Sequence, residues 1–322
     1  QWWHENPQRA LSNNSVAYKE KPEPGTFMEE WLSLYKSKSG ERGIFNRDAA
    51  KKQIEHANEF RKSLGDQYRL REVDHDFGTN PCSEIILRDK EFCNLTEVVI
   101  RGNDTMESLE RKVRLATILG TWQSTLTEFK YLSSEWKRNC EDERLLGVSM
   151  TGIMDSPLTN GKKSGLEDRL TQLKTIAIKE NKKYADKIGI NPSVAITCVK
   201  PSGTVSQLVD AASGIHPRHN EYYIRTVRAD KKDPLCKMMM DLKFPHEPDA
   251  MKPDHTVVFS FPVKSPKNSV FREDMNAIDQ LNLWLIYQKF WCEHKPSITV
   301  SVREDEWVGV GSWVYTYFND VC

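Results

Sequence analysis

The sequence shows no excess of charge of either sign: 46 basic side chains stand against 46 acidic ones in 322 residues. A dedicated nucleic-acid binder is normally basic, so the balance argues against one and leaves an anionic membrane surface nothing to hold. There is no run of about eighteen apolar residues, which argues against a membrane-spanning helix. The opening Gln1-Trp2-Trp3-His4-Glu5-Asn6 lacks the basic and apolar regions of a signal peptide. A cytoplasmic location is therefore expected. Seven cysteines, odd in number and loosely spaced, do not suit a secreted disulfide framework. No two form the CxxC pair of a zinc site, and no metal is expected. Repeats, low-complexity tracts and a clear linker are missing too, so residues 1–322 read as one unit. The chain stops at Cys322 just after Trp313-Val314-Tyr315-Thr316-Tyr317-Phe318, which reads as a strand in need of neighbours. An internal piece of a longer protein is expected.

What is present is a globular balance, 38% hydrophobic and 29% charged residues, with alternating helical and extended patterns. Phe27, Trp31, Leu34 and Tyr35 predict a helix over 26–36, and a second is expected over 47–64, capped by Asn46 or Asp48. Short extended segments follow at 85–87 and 98–100. The longest helix is expected over 105–138, with Asp104 as its cap, Glu107 completing a capping box, and much of its surface buried. Strands are expected at 145–150, 194–199, 256–263 and 298–302, and helices at 166–188 and 276–294. Strands alternating with helices indicate an α/β fold.

Two stretches carry chemistry. Asn80, Cys82 and Glu84 are spaced i, i+2, i+4, which in an extended segment sets all three side chains on one face. Gly78 and Pro81 disfavour helix there. A carboxylate able to take a proton from a hydroxyl, a carboxamide able to hold a second hydroxyl, and a reactive sulfur would then share one small volume. Cys93, eleven residues further on, returns beside that volume if the segment between makes a hairpin-like turn. The other cysteines, Cys140, Cys198, Cys236, Cys292 and Cys322, read as inert. The second stretch is Lys200-Pro201-Ser202-Gly203-Thr204-Val205-Ser206, directly after the strand at 194–199. Gly203 admits a ligand close to the backbone, and Thr204 or Ser206 is placed to cap a helix whose free N–H groups favour an anion. From these residues alone, an ordinary strand-to-helix connection is the preferred reading.

The run Gly78-Thr79-Asn80-Pro81-Cys82-Ser83-Glu84-Ile85-Ile86-Leu87, followed by Phe92-Cys93-Asn94-Leu95-Thr96-Glu97, resembles the active-site finger loop of ribonucleotide reductases. The short gap from Cys82 to Cys93 is similar to that of the adenosylcobalamin-dependent class. The loop at 200–206, with Asp210-Ala211-Ala212-Ser213-Gly214-Ile215-His216-Pro217 after it, resembles the substrate-phosphate loop of the monomeric, triphosphate-reducing branch. Arg144 to Gly152 and Gly43 to Arg47 are similar to further segments of the family, so the likeness runs from about residue 8 to about residue 302.

The resemblance implies part of a ten-stranded α/β barrel around a central finger loop, of which this chain would supply about half the strands. It implies reduction of ribonucleotides, expected to be triphosphates, to 2′-deoxyribonucleotides for DNA synthesis. Cys82 would carry the thiyl radical that abstracts the ribose 3′ hydrogen. Glu84 would be the general base on the 3′ hydroxyl, and Asn80 would bond near the sugar hydroxyls. Cys93 would be one of two reducing thiols, and Ser202, Gly203, Thr204 and Ser206 would bind substrate phosphate. Adenosylcobalamin is the implied cofactor, a thioredoxin-like dithiol the implied reductant, and an N-terminal reductase portion the implied partner. The second reducing thiol lies far upstream in the family, and nothing here matches its motif.

Two other readings stand beside this one. The chain is catalytically idle until joined to an N-terminal piece, or Cys82 is the nucleophile of a cysteine hydrolase with His75 as base. Several features read as structural instead: His216, Arg218 and His219 near the loop, the methionines 238–240, the charged run 225–233, Trp2 and Trp3, and the turn residues 12–15.

Overall fold

The computed structural model describes residues 14–38 and 43–321, together with Glu5 and Pro7. Trp2, Trp3, Ser12, Asn13 and Cys322 lie outside the described residues. Strand β1 (Ser15–Tyr18) runs parallel to β2 (Gly43–Asn46), with α1 (Pro24–Ser37) between them in sequence. Asn46 then caps α2 (Arg47–Leu64): its Oδ1 accepts from the Asp48 and Ala49 amides at 3.0 and 3.3 Å. Two short strands, β3 (Gly78–Thr79) and β4 (Ile86–Leu87), pair antiparallel as a hairpin.

A row of parallel extended segments forms the centre. Strand β5 (Asn94–Val99) pairs in parallel with β6 (Leu146–Thr151), Glu97 facing Ser149 in register. The far side of β6 bonds residues 194–199, Val148 N donating to Ile196 O at 2.7 Å and Cys198 N to Val148 O at 3.1 Å. That segment in turn bonds residues 293–297, with Val199 N donating to Lys295 O and Ser297 N to Val199 O. Helices α3 (Met106–Gln123) and α5 (Leu166–Ile188) cover one face. Val98, Ile100, Leu146, Val148 and Met150 meet Leu109, Val113, Leu170 and Ile178 there in one buried cluster. Such continuous apolar strands suit a sheet buried by helices. The mixed α/β expectation holds.

After the tight loop and the short α6 (Val205–Leu208), the chain leaves the row for a second sheet. Strand β7 (Tyr222–Asp230) and β9 (Thr256–Lys264) pair antiparallel over nine residues each, with α7 (Pro234–Asp241) and β8 (His246–Pro248) between. Cys236, Met239, Met240, Val257 and Phe259 make its own small core, so two of the three methionines are packing while Met238 is half exposed. Then α8 (Ala277–Phe290) returns to the row, and α9 (Trp307–Thr316) closes against α1, with the Trp31 indole donating to Trp307 O at 3.2 Å.

Several expectations are corrected. The helix expected over 105–138 is two: α3 ends at Gln123 and α4 (Ser134–Glu143) follows a turn. Ser124 and Thr125 hydroxyls turn back to the Thr121 and Trp122 carbonyls, the local competition that ends helices at such residues. Its cap is Thr105, in a capping box with Ser108, because the Asp104 carboxylate is occupied by Arg101 N and Lys112. Nor is α3 buried on much of its surface, since Leu115, Leu119 and Trp122 are about half exposed. The aromatic run 313–318 lies mostly in helix α9, because Gly311 lets that helix press on the Trp31 ring. The helix expected over 276–294 stops at Phe290, where the backbone turns to bond Thr197. The strand expected at 298–302 is not formed, its place being taken by 293–297. The charged run 225–233 falls largely on β7, which had no apolar signal because the strand is exposed along most of its length.

Candidate active site

The hairpin β3–β4 carries the predicted thiol centre, but as a tight turn rather than an extended segment. Ser83 N donates to Asn80 O at 2.9 Å, and Ser83 itself takes a positive φ of 60°. The turn folds Asn80 back onto Glu84: Asn80 Nδ2 donates to Glu84 Oε2 at 2.8 Å, and Asn80 Oδ1 accepts from Ile85 N at 3.0 Å. Asn80 and Glu84 are thus brought together as expected, with Glu84 buried, while Cys82 stands exposed at the tip. A cavity of about 290 Å³ opens at the thiol, lined by Cys82, Ser83, Pro296, Ile298, Trp313 and Val314.

Burial and the Glu84 carboxylate push the Cys82 thiol above its usual value, against the pull of Lys200. The sulfur therefore rests as a neutral thiol. A hydrolase nucleophile needs the reverse, a thiolate beside a base. His75 instead faces Glu72 at 3.3 Å and the edge of Phe77.

Cys93 ends the turn that follows and sits on the face of β5 turned away from the helices. A Cβ on Gly147 would lie 3.2 Å from Cys93 Sγ, 3.0 Å from Ile85 Cδ1 and 2.5 Å from Leu95 Cδ2. Only glycine leaves room for this convergence. Burial and then Glu91 raise the Cys93 thiol well above its usual value, and Glu84 adds to the same push. Glu84 thus stands electrostatically between the two thiols.

The hairpin is held by residues the sequence did not single out. Lys295 N donates to Glu84 O at 3.0 Å. The fully buried His294 accepts from Ile86 N on Nδ1 at 3.3 Å, so its Nε2 carries the proton given to Leu146 O at 3.0 Å. Burial, then Arg71 and Arg61, hold His294 well below its ordinary value and keep it neutral. Arg71 donates to Ile86 O at 3.0 Å and pairs with the buried Glu143 at 2.7 Å. Beside that pair Glu91 is raised to about 8, by its burial and by Glu143. Arg61 grips Glu293 with two bonds of 2.6 and 3.0 Å. No periodicity in the sequence announces these side chains, whose partners lie far away along the chain.

The predicted phosphate loop follows residues 194–199 as expected, starting where Lys200 N donates to Ser149 Oγ at 2.8 Å. Gly214 takes a positive φ of 48°, and a Cβ there would strike Lys200 O, so this glycine lets the next loop close on the first. The helix after it, α6, is only four residues long and Thr204 makes no side-chain cap, contrary to the expected capped terminus. Ser206 Oγ bonds Ser213 Oγ at 2.7 Å. Ser202, at a positive φ of 52°, is buried with its hydroxyl turned to the Glu97 carboxyl, and Gly203 has open space where a Cβ would be. His216 is fully used, bonding Ser213 O through Nδ1 and accepting Thr299 N on Nε2, both at 2.7 Å. Arg218 is committed to Asp155 by two bonds of 2.9 Å. Both therefore read as structural.

One further side chain escaped the sequence reading. Glu97 lies on the same face of β5 as Cys93; burial raises its carboxyl, and the Ser202 hydroxyl and the Lys200 charge oppose that push. The available signal was the alternation Cys93, Leu95, Glu97, which sets an acid inside an otherwise apolar surrounding. No group of three or more potential ligands poised for a metal occurs among the described residues. No described helix is long and apolar enough to cross a membrane.

Comparison with known proteins bears on this geometry. No family model matches the chain. The adenosylcobalamin-dependent ribonucleoside-triphosphate reductase of Lactobacillus acidophilus is 28% identical over 92% of this chain. That of Euglena gracilis is 28% identical over 70%, and a probable one from Dictyostelium discoideum 30% identical over 70%. The chain spans less than half of these relatives, 42%, 30% and 29% of their lengths in turn. Among solved structures, a B12-dependent (class II) ribonucleotide reductase superposes with a TM-score of 0.73 at 24% identity, over 96% of this chain and 45% of that one. The fold is shared. Along most of its length, then, this chain is a homologue of the adenosylcobalamin-dependent ribonucleoside-triphosphate reductases.

Proposed function

We propose that this chain is the thiol-bearing part of an enzyme that reduces ribonucleoside triphosphates to 2′-deoxyribonucleotides through a radical on Cys82. The observation that carries the reading is the tip of the hairpin: an exposed, neutral thiol beside a buried Glu84 already bonded to Asn80. A neutral S–H is the form from which a hydrogen atom is removed. The Cys82 sulfur radical would take the 3′ hydrogen of the ribose, and Glu84 the 3′-hydroxyl proton. The 2′ oxygen leaves as water. Two thiols, Cys93 and one outside this chain, would provide two electrons and two protons, one of which leaves with the 2′ oxygen as water, and end as a disulfide, while the hydrogen held on Cys82 returns to C3′ and restores the sulfur radical. A thioredoxin-like dithiol would reduce that disulfide again. Ser202, Gly203, Thr204 and Ser206 would hold the substrate phosphate, and Gly203 leaves the backbone open to it. In this reading the parallel row is one part of a ten-stranded barrel, the hairpin is its finger loop, and residues 1–322 act as one unit.

The residues present fit adenosylcobalamin in one respect: the thiol that must be oxidised is exposed, and the cavity at its side is open. Trp313 and Val314, with Cys82, would meet the reactive end of the cofactor. When bound, it would provide the radical equivalent. The chain covers only 42% of the first relative's length, which favours a second reading within the first, that the isolated polypeptide is idle until joined to the remaining reductase portion.

The test mixes this chain with the unmatched portion of the Lactobacillus acidophilus relative, adenosylcobalamin, a ribonucleoside triphosphate and a dithiol, and assays deoxynucleotide. Product is expected, with none from Cys82→Ser or without the cofactor. Product that persists with Cys82→Ser would overturn the radical assignment.

A further inference from the structure

Cys93 has a buried acid at its side for which the function proposed above has no use. Glu91 and Cys93 lie two residues apart in an extended stretch, so their side chains point the same way, inward. Phe92 between them turns outward and stacks on Trp136 at 4.6 Å. The Glu91 side chain is fully buried. It is faced by Arg88 from its own segment, Arg71 from the stretch before β3, Glu143 and Cys140 from α4, and Cys93 itself. The cations are unevenly shared. Arg71 gives Glu143 bonds of 2.7 and 3.0 Å but stays 3.5 Å from Glu91, and Arg88 Nε stands 3.4 Å from the other Glu91 oxygen. The two carboxyls also meet in a hydrogen bond, which requires one of them to keep a proton. Burial and Glu143 place that proton on Glu91 and hold it there up to about pH 8. Cys93 has the complementary need. Burial pushes its thiol well above the usual value, and a charged Glu91 raises it further. A thiolate there is costly, so a disulfide that must release Cys93 opens slowly unless the leaving sulfur is given a proton.

We propose that Glu91 is the proton donor to Cys93 when the disulfide formed in each turnover is opened again. A thiolate of the reducing dithiol attacks the partner sulfur, the sulfur–sulfur bond breaks, and its electron pair leaves on Cys93. Cys93 takes the Glu91 proton, and the Glu91 carboxylate recovers one from water. The second dithiol sulfur then closes the dithiol's own disulfide and releases the partner thiol, so two electrons pass from the dithiol to the two enzyme sulfurs. The inference rests on the reading of Cys93 as a reducing thiol and adds the acid which that reading lacks.

The test uses the full chain with Cys82→Ser and Cys322→Ser, since the remaining described thiols other than Cys93 are buried. Methyl methanethiosulfonate caps Cys93 as a methyl disulfide, located by peptide mass, and dithiothreitol removes the cap. Attack falls on the outer sulfur, so Cys93 is the group that leaves. The rate constant, corrected for dithiothreitol thiolate, should hold level below about pH 8 and fall above it as Glu91 loses its proton. Glu91→Gln should react about a hundredfold more slowly near neutral pH, the lower end of general acid catalysis, and show no step. Glu91→Asp keeps an acid and should recover part of the rate together with a step, which a loss of packing alone would not produce. A step that survives Glu91→Gln, or a parent rate without a step, overturns the donor. Failure of Cys93 to take the cap overturns this inference and the role of Cys93 as a reducing thiol together. An intact step, with no deoxynucleotide from the recombined enzyme, upholds the donor and overturns only the proposed function.

Discussion

The hairpin that carries Cys82 and the loop that carries Ser202 lie near one another, yet they are built in opposite ways. Nearly every polar group of the hairpin is answered from distant parts of the chain: Glu84 O by Lys295, Ile86 N by His294, Ile86 O by Arg71. The loop is fastened at its start through Ser149 and at its end through Ser213, and between these points Gly203 leaves the backbone open. A saturated network fixes an atom in place before anything binds, whereas open backbone leaves room for a ligand. In the proposed reading, the contrast gives positioning and binding to separate segments.

Substitutions should separate the two. The largest effect is expected at Arg71. Arg71→Leu leaves Glu143 buried without its cation, and about 3–5 kcal/mol of stability should go, read from denaturant midpoints. Next is His294→Ala, which strands Ile86 N–H and Leu146 C=O and should lower stability by about 2–4 kcal/mol. Asn at 294 can offer one acceptor and one donor, so partial recovery there would distinguish lost hydrogen bonds from lost volume. A smaller effect concerns pH. Glu91 has a folded value of about 8 against 4.5 when free, so the folded chain keeps a proton that the unfolded chain has released. That stabilisation is complete below 4.5 and lost as pH rises through about 8. Glu91→Gln should flatten the slope of stability against pH across this window, and an unchanged slope would remove Glu91 as its source. Smallest in stability is Ser202→Ala, expected within about 0.5 kcal/mol of the parent. It should still weaken tripolyphosphate binding about tenfold. Equal losses of stability from His294→Ala and Ser202→Ala would break the comparison.

Where local chemistry decides an element, the sequence was readable. Asn46 before an apolar period announced α2, and the period of 166–188 announced α5, each to the residue. The α/β alternation followed from the same signals. Misreadings arose where remote contacts decide. Trp313 and Phe318 look like strand residues until Trp31 and α1 are in place to receive a helix. Likewise Asn80, Cys82 and Glu84 are not splayed along a strand, because the Asn80 carboxamide closes on Ile85 N and Glu84. Motif order singled out the cysteines and the loop, but Arg71, Glu97 and His294 gain meaning only from partners brought in by the fold. Burial of a charge or an imidazole has no periodic signature.

The exposure of Cys82 also makes the site readable by simple chemistry. Of the six described thiols, four are buried, Cys93 is half-buried, and Cys82 alone is exposed. An alkylating dye should therefore tag Cys82 ahead of the other five, and slowly near neutral pH because that thiol resists ionisation. Its labelling rate becomes a reporter of anything that settles over the hairpin tip, whether or not turnover occurs.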